Sequence, residues 1–210
     1  LAPDALEGFF KPNQQAKMKL IAYPDSPELT GKNAKSVALH DTPATGQGCG
    51  PHRDSDLMTF IFQATPHQNS LQVQNFQGKW VTVENIPDTL VWNAGQTLEA
   101  VTQGVCKATI HRVLIPEAGS GTRISIPYFQ TIDLDSKKIA VQNVDDDVLE
   151  LSRRRDAKIK DWSVDVGFQY IPDVSKNPVG YSVFRNRIKS HQDVAARWYP
   201  DILREVLAEI

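Results

Sequence analysis

Two cysteines, Cys49 and Cys106, are all the chain contains. They do not make the disulfide framework of a small secreted domain, so a reducing, cytoplasmic setting is expected. Long apolar runs are missing too: nothing approaches the roughly 20 residues that span a bilayer. There is no excess of charge of either sign, the balance being −2 over 210 residues. That leaves no electrostatic case for nucleic acid or an anionic membrane as partner. No signal-peptide pattern opens the chain, which starts at Leu1 rather than a methionine. The length is enough for one domain with a substantial core.

The informative stretch is Gly50-Pro51-His52-Arg53-Asp54-Ser55-Asp56, followed by the apolar run Leu57-Met58-Thr59-Phe60. On a β-strand, residues i and i+2 share a face. His52 and Asp54 are therefore expected to aim at one point, with Arg53 turned away. A lone His-x-Asp is usually polar surface, so its company matters. His111, in residues 107–113, offers a second imidazole. Two histidines and one carboxylate on one side of a metal leave the opposite positions open, an arrangement that suits a non-haem Fe(II) oxygenase. Arg123 and Ser125 form another i, i+2 pair, and Glu117-Ala118-Gly119-Ser120-Gly121 between them and His111 is a strong turn signal. Folded about that turn, the two strands are expected to lie side by side. The arginine fork would then be a carboxylate receptor next to a metal.

His52-x-Asp54, His111 and Arg123-x-Ser125, in this order, resemble the Fe(II)/2-oxoglutarate-dependent dioxygenases of the isopenicillin N synthase-like superfamily. Leu71-Gln72-Val73-Gln74 with Gly78-Lys79-Trp80-Val81 is similar to that family's "LQV…GKWV" run, and residues 86–99 to its "IPGALVVNIGDxLE" run. The likeness is good over residues 17–130 and looser in the tail, where residues 181–200 look like fungal members. It implies Fe(II) on His52, Asp54 and His111, with 2-oxoglutarate as co-substrate held by Arg123, Ser125 and Tyr23. O2 is then spent on oxidising a small organic molecule by hydroxylation, desaturation or ring formation. Family members usually carry a further N-terminal portion, so this chain is expected to begin in the middle of the pattern.

The expected fold is mainly β, a double-stranded β-helix or jelly-roll of regular short strands with flanking and C-terminal helices. Residues 1–16 read as a lead-in, 17–135 as the jelly-roll core and 136–210 as a helical or lid extension. Met18 to Tyr23 is the first expected strand, stopped by Pro24. Residues 25–50 read as a polar loop at the mouth of the site, interrupted by a short strand over Ser36–His40; His40 is weighed as a mouth or surface residue and His67 as a solvated turn residue. Further strands are expected over 57–63, 71–75, 80–84, 89–92, 107–113 and 123–129, with a helical turn or bent strand at 96–102. Asp145-Asp146-Asp147 ahead of Arg153-Arg154-Arg155 matches a helix dipole, and the arginines read as a solvated face rather than a nucleic-acid site. A helix from His191 is expected to break near Tyr199 and restart at Pro200. Phe60 and Phe62, if they point inward, the 25–50 loop and the tail are the candidate substrate liners; Cys49 is given no role. Three alternatives remain at this level. They are an iron oxidase of the same fold that uses no 2-oxo acid, another metal-dependent jelly-roll enzyme, and a non-catalytic binding protein on this fold.

Overall fold

The computed structural model describes residues 3–12, 14–25, 46–136, 144–159 and 177–208. Among these, nine strands form two sheets. The first sheet runs β1 (Gln14–Met18), β9 (Arg123–Asp133), β4 (Met58–Gln63), β7 (Val91–Ala94), with β2 (Ile21–Tyr23) also on β9. The second runs β3 (Gln47–His52), β8 (His111–Leu114), β5 (Leu71–Gln74), β6 (Trp80–Thr82). All pairings are antiparallel. This is the jelly-roll expected from the short, evenly spaced strands.

The strand period builds the interior. In β4, Thr59 and Ile61 are buried while Phe62 is exposed; in β9, Arg123, Ser125 and Pro127 are buried while Ile124 and Tyr128 are exposed. Ile61, Leu71 and Val113 meet between the sheets, with Tyr23, Cys49, Val83 and Val91 packed around them. A second cluster joins Leu57, Ala94 and Ile132 to Leu98 and Val101 of α1 (Gln96–Val101) and to Val179 of α3 (Val179–Ser190). The C-terminal helices α4 (Gln192–Trp198) and α5 (Pro200–Ala208) pack on α3 through Ile188, Ala195 and Val206. The break expected before Pro200 is present, because a proline fits the first turn of a helix but not its middle.

Several expectations change. The Met18–Tyr23 strand is two strands, and the first begins at Gln14, inside the segment read as lead-in. Lys19 N–H donates to Pro127 O, but Pro127 has no N–H to return, so the ladder breaks there. The strands of His111 and Arg123 do not lie side by side. β8 pairs with β3 and β5, whereas β9 pairs with β1, β2 and β4, so the 117–121 turn crosses from one sheet to the other. Phe60 and Phe62 do not line the interior: they share the outer face of β4 with the cross-strand neighbour Trp92. His67 is half-buried, with ring nitrogens on Thr65 Oγ1 and on the Ser120 and Gly121 carbonyls. Ser36–His40 lies outside the described residues.

Helix α2 (Asp146–Asp156) starts at Asp145, whose carboxylate accepts from Asp147 N–H. Its arginines serve the structure. Arg153 and Arg154 pair with Glu150, and Arg155 donates to the Gly104 and Val105 carbonyls. Among the described residues no helix is long and apolar enough to cross a membrane.

Candidate active site

His52, Asp54 and His111 converge: one ligand atom from each lies within 4.8 Å of the other two. Asp54 Oδ1 is 3.6 Å from His52 Nε2 and 3.7 Å from His111 Nε2. The convergence does not come from a shared strand face. His52 is the last residue of β3 and Asp54 lies beyond it. Between Cys49, opposite Val113, and His52, opposite His111, β3 holds one residue too many. That bulge falls at Gly50-Pro51, on a strand that is at the sheet edge among the described residues, where a proline costs no ladder bond. It re-aims His52 so that the two imidazoles face each other, ring centroids 4.2 Å apart.

The outer atoms of the three side chains are all occupied. His52 Nδ1 is 2.9 Å from Gly50 O and His111 Nδ1 is 3.1 Å from Thr109 O. A carbonyl can only accept, so each Nδ1 carries the hydrogen and each Nε2 turns inward. Asp54 Oδ2 accepts from Thr59 Oγ1 at 2.6 Å and from Asn93 Nδ2 at 2.8 Å, leaving Oδ1 toward the imidazoles. Thr59 and Asn93 are cross-strand partners on β4 and β7. Burial opposes a charge on His52. The Cys49 thiol, 3.7 Å from its Nδ1, together with Asp54 and Gly50 outweighs that and pushes its pKa up to about 9. For His111, burial and the neighbouring His52 hold the pKa below the usual range. Two imidazoles and one carboxylate with oriented outer atoms are the donor set of a mononuclear Fe(II) site, so the residues fit such an ion.

Residues 53–57 are held by the start of α1. Gln96 N–H donates to Asp54 O, Thr97 N–H to Asp56 O and Thr97 Oγ1 to Ser55 O. The approach requires a glycine just before the helix. A Cβ on Gly95 would stand 1.9 Å from Asp56 O and 3.3 Å from Asp54 O. Gly95→Ala must push this backbone apart, and forced overpacking costs roughly 1–3 kcal/mol. A lower melting temperature and weaker Fe(II) binding are expected together. An unchanged melt would show that the loop is not clamped here.

Arg123, Ser125 and Tyr23 also come together. Arg123 is 1 % exposed, opposite Tyr23 on β2 and 5.3 Å from the centre of its ring. Its Nη2 donates to Gln63 Oε1 at 3.1 Å, while its Nη1 is buried with no hydrogen-bond partner among the described residues. A buried guanidinium donor without an acceptor is costly, and a carboxylate is the group its fork fits. Ser125, opposite both Ile21 and Gln63, is buried on the same face of β9. Burial pushes the Tyr23 hydroxyl up to about 12, so it stays a neutral donor. Tyr23 lies close because residue 48 is glycine; a Cβ there would be 2.6 Å from the ring. Cys49 packs on the same core cluster as Tyr23 and lies with its Sγ 3.7 Å from His52 Nδ1.

A cavity of about 630 Å³ opens beside His52 and Asp54. Lys17 and Lys19, Phe129, and Asn186, Arg187 and Lys189 of α3 line it. Asn186 Nδ2 reaches Ser55 Oγ at 3.3 Å, tying α3 to the loop that carries Asp54. The sequence reading missed Thr59, Asn93 and Gln63. Their signal was available: Thr59 and Asn93 are polar residues inside otherwise apolar strands, and Gln63 is the polar end of one.

Comparison with known proteins bears on family and fold. A family model described as the 2OG-Fe(II) oxygenase superfamily matches residues 21–132. The chain is 40 % identical over 209 residues to frbJ of Dothideomycetidae sp. (strain 11243), a 2-oxoglutarate-dependent dioxygenase; the match covers 97 % of this chain and 52 % of that protein. It is 34 % identical over 166 residues to a 2-oxoglutarate-dependent dioxygenase of Gibberella zeae, covering 75 % of this chain and 42 % of that one. The chain thus spans about half the length of these curated relatives. In fold it resembles a full-length Neurospora crassa protein solved with alpha-KG, with a TM-score of 0.53 and 20 % identity over 85 % of this chain and 46 % of that one.

Proposed function

Because the chain belongs to the 2OG-Fe(II) oxygenase superfamily, we propose that it is an oxidoreductase. It couples O2 and 2-oxoglutarate to the oxidation of a small organic molecule at a non-haem Fe(II). The observation that carries this reading is the division of atoms within the triad. The two Nε2 atoms and Asp54 Oδ1 converge, while every outer atom is held by a carbonyl, Thr59 or Asn93. The named relatives support it as well.

Bound iron would supply the activation of O2 and the oxidative decarboxylation of the 2-oxo acid. The rest falls to the chain. His52, Asp54 and His111 would hold the ion through the two Nε2 atoms and Asp54 Oδ1. Thr59 and Asn93 keep the Asp54 carboxylate from rotating, so that Oδ1 faces inward. Arg123 presents Nη1 to the far carboxylate of 2-oxoglutarate, with the Ser125 hydroxyl and Tyr23 beside it. Within the C-terminal extension, α3 acts as a lid, a role supported by the residues it places on the cavity wall. The free thiols Cys49 and Cys106 support a reducing cytoplasm as the working compartment.

The test needs no substrate. Anaerobic addition of Fe(II) and then 2-oxoglutarate should raise the visible charge-transfer band of the chelate. A folded chain that shows no band at saturating concentrations of both would overturn the proposal.

A further inference from the structure

We propose that the molecule oxidised at this site is an organic anion with an apolar body, its charge held by Lys19, Arg187 and Lys189 and its body resting against Phe129. The inference rests on the iron-site reading above and names the substrate class of that same site. The cavity wall beside His52 and Asp54 carries five cations, Lys17, Lys19, Arg53, Arg187 and Lys189, against the carboxylates of Asp54 and Asp56. Two of the cations are occupied. Lys17 Nζ is 2.9 Å from Asp56 Oδ1, and Arg53 Nη1 is 3.6 Å from Glu99 Oε2. Asp54 faces the two imidazoles.

Lys19, Arg187 and Lys189 are left with no carboxylate partner among the described residues. They come from two separate places, the link between β1 and β2 and the last turn of α3, yet face one cavity. Basic residues in a last turn also suit the helix dipole, but that effect does not account for Lys19. Lys19 Nζ lies 5.6 Å from the centre of the Phe129 ring, which puts cation and aromatic surface side by side. Like charges facing one cavity repel, and an anion between them removes that repulsion. The far carboxylate of the co-substrate does not fill this role, because its receptor, the buried Arg123, is not among the residues that line this cavity.

The test uses a matched pair of probes, phenylacetate and phenylacetamide, with binding followed by ligand-observed NMR at low salt. Phenylacetate should bind about tenfold more tightly, and added salt should shrink the difference, as screening requires. The triple variant Lys19→Gln, Arg187→Gln, Lys189→Gln should abolish the preference. Its fold is checked by circular dichroism, with the single charge reversal Lys189→Glu as a milder second variant. Arg123→Met should leave the preference intact. Equal binding of acid and amide, no binding of either, or a preference that survives the triple variant overturns the proposal. Loss of the preference in Arg123→Met does so too, by assigning the acid to the inner receptor. The charge-transfer experiment fails or succeeds independently, since these probes require no iron.

Discussion

His111→Ala is expected to abolish Fe(II) binding and turnover while the barrel stays folded. His111 is 5 % exposed, with Nδ1 on Thr109 O and Nε2 3.7 Å from Asp54 Oδ1. Disturbing a partner that only orients a ligand typically costs about 10- to 100-fold in metal affinity. Removing one of three ligands should exceed that, so a loss of at least about 100-fold is the expected scale. The fold has reason to survive. β8 is held to β3 and β5 by main-chain bonds that the substitution leaves alone. The lost packing costs roughly 2–3 kcal/mol, on the scale of buried large-to-small changes, against a typical total of about 5–15 kcal/mol. Anaerobic Fe(II) titration beside a thermal melt reads both halves. A folded variant with ordinary iron affinity would mean that His111 is not a ligand.

The same triad shows how far a sequence carries and where it stops. Residue types and order were enough to expect His52, Asp54 and His111 at one point, and the structure brings them together. The reason they meet was not legible. Period-two reasoning put His52 and Asp54 on one strand face, whereas the chain uses a bulge at Gly50-Pro51 and a clamp from α1. Both devices depend on partners far along the chain. The Gly95 approach to Asp56, for instance, becomes visible only when the two segments are side by side.

Local signals also misplaced β8 and β9. A glycine-rich turn between two strands reads as a hairpin, yet in a jelly-roll the same turn can cross between sheets, and that choice is made by what β9 pairs with. β1, β2 and β4 occupy both of its edges. Phe60 and Phe62 were candidate liners on the condition that they point inward, and that condition is not met. Alternation in β4 fixes which residues share a face, but not which face is inward; the inward one carries Ile61, packed between the sheets, and Thr59, bonded to Asp54.

Arg123→Met should separate function from stability in opposite directions. In the folded chain Arg123 Nη1 is buried without a hydrogen-bond partner among the described residues, and burial already lowers its pKa. Its ordinary value is so high that it stays charged all the same. A charge kept inside without its counter-ion works against folding. Methionine keeps much of the aliphatic volume and removes that cost, so the metal-free variant should melt at or above the temperature of the parent. Binding moves the other way. Charged hydrogen bonds are worth roughly 1.5–3 kcal/mol each, so the 2-oxoglutarate requirement should rise by about 10- to 150-fold with Fe(II) affinity unchanged. The two effects meet in one experiment. Adding 2-oxoglutarate should raise the melting temperature of the Fe(II)-loaded parent, because the ligand binds only the folded state, and should leave the variant nearly unmoved. An equal rise in both proteins would relocate the anion receptor away from Arg123. A variant that is markedly less stable without ligand would instead show that the guanidinium is held by the fold for its own sake.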